Sequence, residues 1–451
     1  MAENRDVLIT EMIMRLIEGK KYASVRDAME TMHAADIAAI LEECPKEQVP
    51  LIFRLLPKEL AAETFAQMEE DHQELLIQSF SDSELKEVVD ELYVDDAADL
   101  VGEMPANVVK RILRQADPEK RKLINEILKY PEDSAGSIMT TEYVSLRPDM
   151  TVEDAIKRIR RTGVDKETIN TCYVTKQNRK LLGIVTIRTL LLAEENATMQ
   201  ELMTEDVISA LTTQDREEVA LDFTKYDLSA MPVVDEENRL VGIVTVDDVM
   251  DVLQEETTED IEKMAAIIPL DKPYLKTAAF KMFLSRVPWL LIMMLSATFT
   301  GLIITHYETA LAANIVLVAS IPMLMSTGGN AGSQSSVTVI RGLSIGEIEF
   351  PDILKVMWKE IRVAILCGLT LAVISYFKFI LLDGVGWDVA LVISLTLFVT
   401  VAVAKIVGCT LPMIADKIGF DPAVMASPFI TTIIDAVSLA IYVNIAMNLL
   451  L

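Results

Sequence analysis

The 451-residue chain is poor in the residues that build compact metal and redox centres. Its four cysteines, Cys44, Cys172, Cys367 and Cys409, stand far apart and form no CxxC pair. That argues against a zinc ribbon, a thioredoxin-type motif and a dense disulfide framework. There are three histidines (His33, His72, His306) and no HExxH string, which argues against a zincin-type metalloprotease. No P-loop string or nucleophile–base constellation stands out, so an enzyme is the least favoured class. Basic residues are also scarce, 41 Lys and Arg against 68 Asp and Glu, for a net charge of −27. Phosphate contacts need Lys and Arg, so nucleic acid is not an expected partner. Hydrophobic residues, at 51%, are too many for a disordered chain.

The charge is unevenly placed. Residues 271–451 hold 11 acids and 11 bases, which leaves 57 acids and 30 bases in residues 1–270. The whole deficit therefore lies in the first part, and the neutral remainder is very apolar. A spanning helix needs about 20 apolar residues. Five such spans are predicted, near 287–306, 311–336, 356–382, 388–414 and 424–449. The second is the least regular, because Pro322 and the string STGGNAGSQSS interrupt it. Pro412, Pro422 and Pro428 are expected to loosen span ends and expose backbone carbonyls. Arg341, Lys355, Lys359 and Arg362 lie between spans 2 and 3, and Lys417 lies between spans 4 and 5. The positive-inside bias makes these loops cytoplasmic. The first 270 residues then lie in the cytoplasm and the C-terminus outside. The charged N-terminus lacks a signal-peptide apolar core, which agrees with that orientation.

Two repeats organise the polar part. In residues 1–130, DIAAILEECP at 36–45 is echoed by DAADLVGEMP at 96–105. Apolar residues recur at helical spacing between prolines, which predicts an array of short helices. Residues 131–253 carry a second duplication, in units 137–198 and 199–253. LLGIVTIRTLL at 181–191 matches LVGIVTVDDVM at 240–250, and each unit opens on a Met-Thr turn, Met139-Thr140 and Met203-Thr204. This tandem resembles a pair of CBS domains. The resemblance implies a regulatory or dimerising module that can hold ATP, with Tyr173, Arg188, Thr245 and Asp248 as contacts. In the first unit Thr186 fits the nucleotide pattern, but Thr189 stands where an Asp is expected.

An acidic segment follows, counted with residues 254–283 as a connecting helix. Eight acids lie between Asp247 and Glu262, with no base between Arg239 and Lys263. Asp247, Asp251, Glu255 and Glu259 recur at four-residue spacing, with Asp248, Glu256 and Asp260 beside them. Each like-charged neighbour pair on a helix costs about 0.2–0.5 kcal/mol. A solvated face is the bland explanation. A hard divalent cation, Mg²⁺ or Ca²⁺, bridging these carboxylates to Asp95, Asp96 and Asp99 of the helical array would relieve the repulsion.

The apolar part, residues 284–451, carries GGNAGSQSSVTVIRGL at 328–343 and DPAVMASPFITTIID at 421–435. These strings, and the order of parts, resemble the MgtE family of magnesium channels and transporters. The fold expected is multidomain: an all-α helical-repeat N-domain, an α/β CBS pair and a transmembrane domain of five α-helical spans. The resemblance implies a homodimer in the bacterial inner membrane, with a Mg²⁺ pore on its two-fold axis that cytosolic Mg²⁺ closes. Asp435 is the one acid in a thirty-residue apolar run, and an ionisable residue at that depth is a functional candidate. A salt bridge to Lys405 is the alternative use for it. Mg²⁺ keeps several waters and binds through one or two carboxylates. Asp435 from two subunits would meet that need, with Asn330, Ser427, Thr431 and Thr432 bonding the retained waters. A secondary transporter and a membrane sensor without transport are the competing classes. Five spans show no clear inverted repeat, which counts against the transporter plan.

Overall fold

The computed structural model describes residues 2–270, 274–307, 315–425 and 427–450. It separates into two compact units, Met1–Val252 and Leu253–Leu451.

The first unit begins with short helices running from α1 (Ala2–Glu18) to α10 (Pro118–Ile127). Prolines set their length: Pro57 and Pro105 occupy N-cap positions and Pro118 opens α10, where a missing N–H costs nothing. Ser81 and Glu84 close a reciprocal cap over one helix start. The helices bury Ile37, Leu41, Ile52, Leu76 and Leu85 completely. Each such side chain is worth about 1.5–3 kcal/mol. Phe53, Phe65 and Phe80 meet at their centre, with ring centroids 5.5–6.4 Å apart.

The duplicated segment folds as two small sheets with the same plan. β1 (Ser145–Leu146) runs parallel to β2 (Thr171–Thr175), which pairs antiparallel with β3 (Leu181–Thr186). β4 (Ala210–Leu211), β5 (Ala230–Val234) and β6 (Leu240–Thr245) repeat the arrangement. The units exchange their leading Met-Thr turns. Thr140 of the first bridges Ile243 on β6, and Thr204 of the second bridges Ile184 on β3. This exchange explains the glycine of each GIVT string. A Cβ on Gly183 would sit 2.7 Å from the Thr204 carbonyl oxygen, and one on Gly242 would sit 2.6 Å from that of Thr140.

β6 runs directly into α15 (Val246–Met264). The acidic stripe is therefore not a separate connecting element. It starts on the last CBS helix and continues without a break to Met264.

Five long apolar helices follow: α16 (Ala279–His306), α17 (Ile315–Ser344), α18 (Ile353–Leu381), α19 (Trp387–Lys417) and α20 (Ser427–Leu450). All five are long and apolar enough to cross a membrane. The first residues of the predicted second span, 311–314, lie outside the described residues. The rest of that span differs from expectation. α17 is unbroken through Pro322 and the glycines and extends eight residues past the predicted end, to Ser344. Pro412 likewise lies inside a continuous α19 and is buried. Packing accounts for both. α17 and α19 run against each other over most of their length. A Cβ on Gly408 would lie 2.3 Å from the Gly332 carbonyl oxygen, so the helices meet backbone to backbone. Small residues at such a crossing are how spans associate without a hydrophobic driving force.

Candidate cation sites

In the apolar unit, α20 lies along the glycine-rich face of α17. A Cβ on Gly329 would be 2.9 Å from Thr431 Cγ2, and one on Gly332 would be 2.2 Å from Ile434 Cδ1. Ala331, Val401, Ala404, Ile430 and Ile434 form the buried layer between these helices and α19. Asp435 follows that layer on α20 and is partly buried. The Thr431 and Thr432 hydroxyls donate to the Pro428 carbonyl at 2.9 and 3.1 Å. These are back-bonds to a carbonyl three and four residues earlier in the helix, and they leave each hydroxyl oxygen able to accept from water. Ser427 opens α20, but its side chain lies outside the described residues. Asn330 is exposed, and so are Ser326 and Gln334, four residues to either side of it. α17 thus presents a polar stripe to something other than its own protomer. In a bilayer such a stripe faces water or another chain.

Lys405 does not serve Asp435. Its ammonium donates to Ser335 Oγ at 3.1 Å and lies 3.6 Å from Glu360 Oε2, while Ser335 Oγ donates to the same carboxylate oxygen at 2.6 Å. The salt bridge considered for Asp435 is therefore taken by a residue of α18.

In the first unit, carboxylates gather at two helix N-termini. Asp95 and Asp96 occupy the first turn of α8 (Val94–Glu103), and Asp247 and Asp248 that of α15. Two acids that sequence reasoning missed join them, Glu142 and Glu167. They lie in loops outside any periodic segment, so no spacing pointed to them. Glu142 Oε2 accepts from the Val94 amide at 3.0 Å and from Thr140 Oγ1 at 2.9 Å. Thr245 Oγ1 donates to Asp248 Oδ2 at 2.7 Å.

The electrostatics are those of acids short of counter-charge. Asp95 is 7% exposed and its Oδ1 has no hydrogen-bond partner. Burial lifts its carboxyl well above the usual carboxylate range, and Asp248, Asp96, Glu167 and Glu142 lift it further. Burial, then Asp247 and Asp248, raises Glu167 to about 8. Asp248 rises to about 6, again chiefly through burial, with its Thr245 bond opposing. Asp96 shifts the same way through burial and Glu142. Lys120 is the nearby base, but its ammonium donates to the Asp90 and Leu92 carbonyls. Among the described residues no three His, Cys, Asp or Glu side chains converge at metal-ligand spacing. A cation held here would keep much of its water, the habit of Mg²⁺. Asp99 and Asp251 are exposed.

The rest of the stripe belongs to the apolar unit and is partly neutralised. Lys263 Nζ lies 2.7 Å from both Glu259 and Asp421. Burial works against that ammonium, but the two carboxylates outweigh it and hold its pKa above the usual lysine value. Ser344 Oγ donates to Asp260 at 3.3 Å. Burial and the nearby Asp421 charge raise the Asp260 carboxyl. Glu255 is exposed and Glu256 partly buried.

The nucleotide candidates have unlike surroundings. Tyr173 is fully buried, with its ring edge-on to Tyr143 at 5.8 Å and its hydroxyl without a hydrogen-bond partner. Arg188 is exposed. Thr245 is buried and committed to Asp248, which the acid group claims. In the first CBS unit the Thr186 and Thr189 hydroxyls bond each other at 3.0 Å.

Comparison with known proteins decides the family. Residues 321–445 match the MgtE family, described as a divalent cation transporter; residues 32–133 match the MgtE intracellular N domain; residues 135–196 and 199–255 match CBS domains. The magnesium transporter MgtE of Thermus thermophilus is 37% identical over 95% of both chains. The chain belongs to the MgtE family. That of Bacillus subtilis is 33% identical over 98% of this chain and 97% of its own. A crystal structure of the cytosolic domain of the Mg²⁺ channel MgtE in complex with ATP matches with a TM-score of 0.52 and 35% identity. It covers 54% of this chain and 99% of the other. The soluble part of a magnesium transporter matches with the same TM-score at 27% identity, over 56% and 99%. The family expected from the 328–343 and 421–435 strings is thus shown, with its helical N domain, its CBS pair and five apolar helices.

Proposed function

We propose that the chain is a Mg²⁺-selective channel that imports Mg²⁺ and is closed by cytosolic Mg²⁺. The observation that carries the pore reading is Asp435. It is a partly buried carboxylate on α20, next to a glycine-faced α17 whose stripe of Ser326, Asn330 and Gln334 is exposed within the protomer. Two copies facing each other would bring two Asp435 carboxylates and two Asn330 amides to one axis. That set can hold a hydrated Mg²⁺ without stripping all its water. The relatives' names support Mg²⁺ as the substrate. The basic loops support an orientation with the soluble unit in the cytoplasm and the C-terminus outside.

The closing signal is carried by the acids Asp95, Asp96, Glu142, Glu167, Asp247 and Asp248. Without a cation their repulsion disfavours the arrangement in which α8 and the start of α15 lie together. Mg²⁺ favours it, and α15 carries the change onward because it is one helix to Met264. ATP is a further ligand of the CBS pair by analogy with the related cytosolic domain. Single-channel recording of the purified protein in a bilayer tests the reading. Asp435→Asn is expected to abolish Mg²⁺ current while the protein still dimerises. Mg²⁺ on the cytosolic side is expected to lower open probability over a millimolar range. Saturable uptake coupled to a second ion, without unitary currents, would establish the carrier instead.

A further inference from the structure

Lys405 places a full positive charge inside a protein that is read as conducting a divalent cation. It is 4% exposed, and its side chain starts from the residue next to Ala404 in the apolar layer that backs α20. Neighbouring helix axes are about 8–10 Å apart. α19 also packs against α20, the helix that carries Asp435, so the field of a bare ammonium on α19 would reach that helix. Three helices converge on that ammonium. Ser335 of α17 accepts from it at 3.1 Å and donates to Glu360 of α18 at 2.6 Å, and Glu360 lies 3.6 Å from the nitrogen. The ammonium's hydrogen bond goes to α17, and Glu360 supplies the opposite charge from α18, which packs on α19. One turn away on both partner helices, Gly332 and Gly408 touch backbone to backbone, so the three groups have little room to separate.

From this geometry we infer that Glu360 is a specificity-determining counter-charge. It cancels the field of Lys405 along the cation path, and Ser335 holds the pair together. The inference rests on the pore reading above. The physical content is a difference in valence. An uncancelled charge about 10 Å away, at an effective dielectric of about 20, lowers the local occupancy of a monovalent cation roughly tenfold. A divalent cation feels twice the energy, so its factor is the square, roughly a hundredfold. A purely structural role would lower both fluxes by similar factors.

The test measures Mg²⁺ flux, and Na⁺ flux in divalent-free solution, through the full-length protein in proteoliposomes. Glu360→Gln keeps the shape and removes the charge. It is expected to lower Mg²⁺ flux by about the square of its effect on Na⁺ flux. Adding Lys405→Met removes the stranded ammonium and is expected to restore the Mg²⁺/Na⁺ ratio to within about twofold of wild type. Buried ion pairs often tolerate joint replacement by apolar residues. Should Glu360→Gln fail to fold, Lys405→Met alone suffices, because the retained carboxylate is expected to raise the Mg²⁺/Na⁺ ratio. A ratio unchanged in the single variants, or not restored in the double, overturns the inference. Absence of Mg²⁺ flux in the wild type would instead overturn the pore reading, which keeps the two failures apart.

Discussion

Asp248→Asn in the soluble fragment 1–265 is expected to stabilise that fragment when no divalent cation is present. The amide oxygen can still accept from Thr245 Oγ1, so the 2.7 Å bond is kept and only the charge is lost. In the folded unit the Asp248 carboxyl sits at about 6 against 3.8 for an unperturbed Asp, raised first by burial. One unit corresponds to 1.36 kcal/mol, so two units amount to about 3 kcal/mol. The sign follows from linkage. Below pH 4 both states are protonated and the group contributes nothing. Between pH 4 and 6 the unfolded chain ionises while the folded one resists, so stability falls as pH rises. Above pH 6 the full penalty is present and constant. For a unit of this size 1 kcal/mol moves Tm by about 2–4 °C. Thermal melts in EDTA at pH 7.5 are thus expected to show Asp248→Asn melting roughly 6–12 °C above wild type, with the gap closing by pH 4. Mg²⁺ is expected to raise the wild-type Tm and to raise that of the variant less, since a ligand stabilises only through the sites it binds. An unchanged or lowered Tm at pH 7.5, or a gap that persists at pH 4, would refute the view that the Asp248 charge is held at a cost in the folded unit.

Gly408→Ala forces a methyl onto the Gly332 carbonyl oxygen at 2.3 Å, so α17 and α19 must part. The expected cost is about 1–3 kcal/mol, read as a lower melting temperature of the full-length protein in detergent. Calorimetry of fragment 1–265 is expected to show heat on ATP addition. No heat at millimolar ATP would mean that the Thr186–Thr189 hydroxyl pair has replaced the nucleotide contact.

Features that repeat or run long were legible before the structure. The two GIVT strings marked β3 and β6 because each needs a glycine under the partner unit's Met-Thr turn, a constraint that acts twice and so shows twice. The five apolar runs marked the spans because length and lack of charge are all that a span requires. Contacts between residues far apart in sequence were hidden. Glu142 and Glu167 lie in irregular loops, and only the fold carries them to Asp95. Lys405 had Asp435 as its obvious acid, because both stood out in apolar runs. Glu360 was masked by the basic residues Lys359 and Arg362 around it, which read as a cytoplasmic loop. The continuity of α17 through Pro322 was equally hidden, since the local signals Pro and Gly argue for a break and the packing against α19 overrides them.

The glycine seam between α17 and α19 also divides the apolar unit mechanically. Two backbones in contact cannot slide by the width of a methyl without colliding, and Lys405, Ser335 and Glu360 pin α18 to the same pair. These three helices act as a stator. α16 is the opposite case: 6% of its apolar window is buried inside the protomer, against 61% for α19. α20 is held on the same glycine face through Thr431 and Ile434, so α16 is the helix of this unit that is expected to move most easily. Amide hydrogens should accordingly exchange slowest along the α17–α19 seam and fastest along α16.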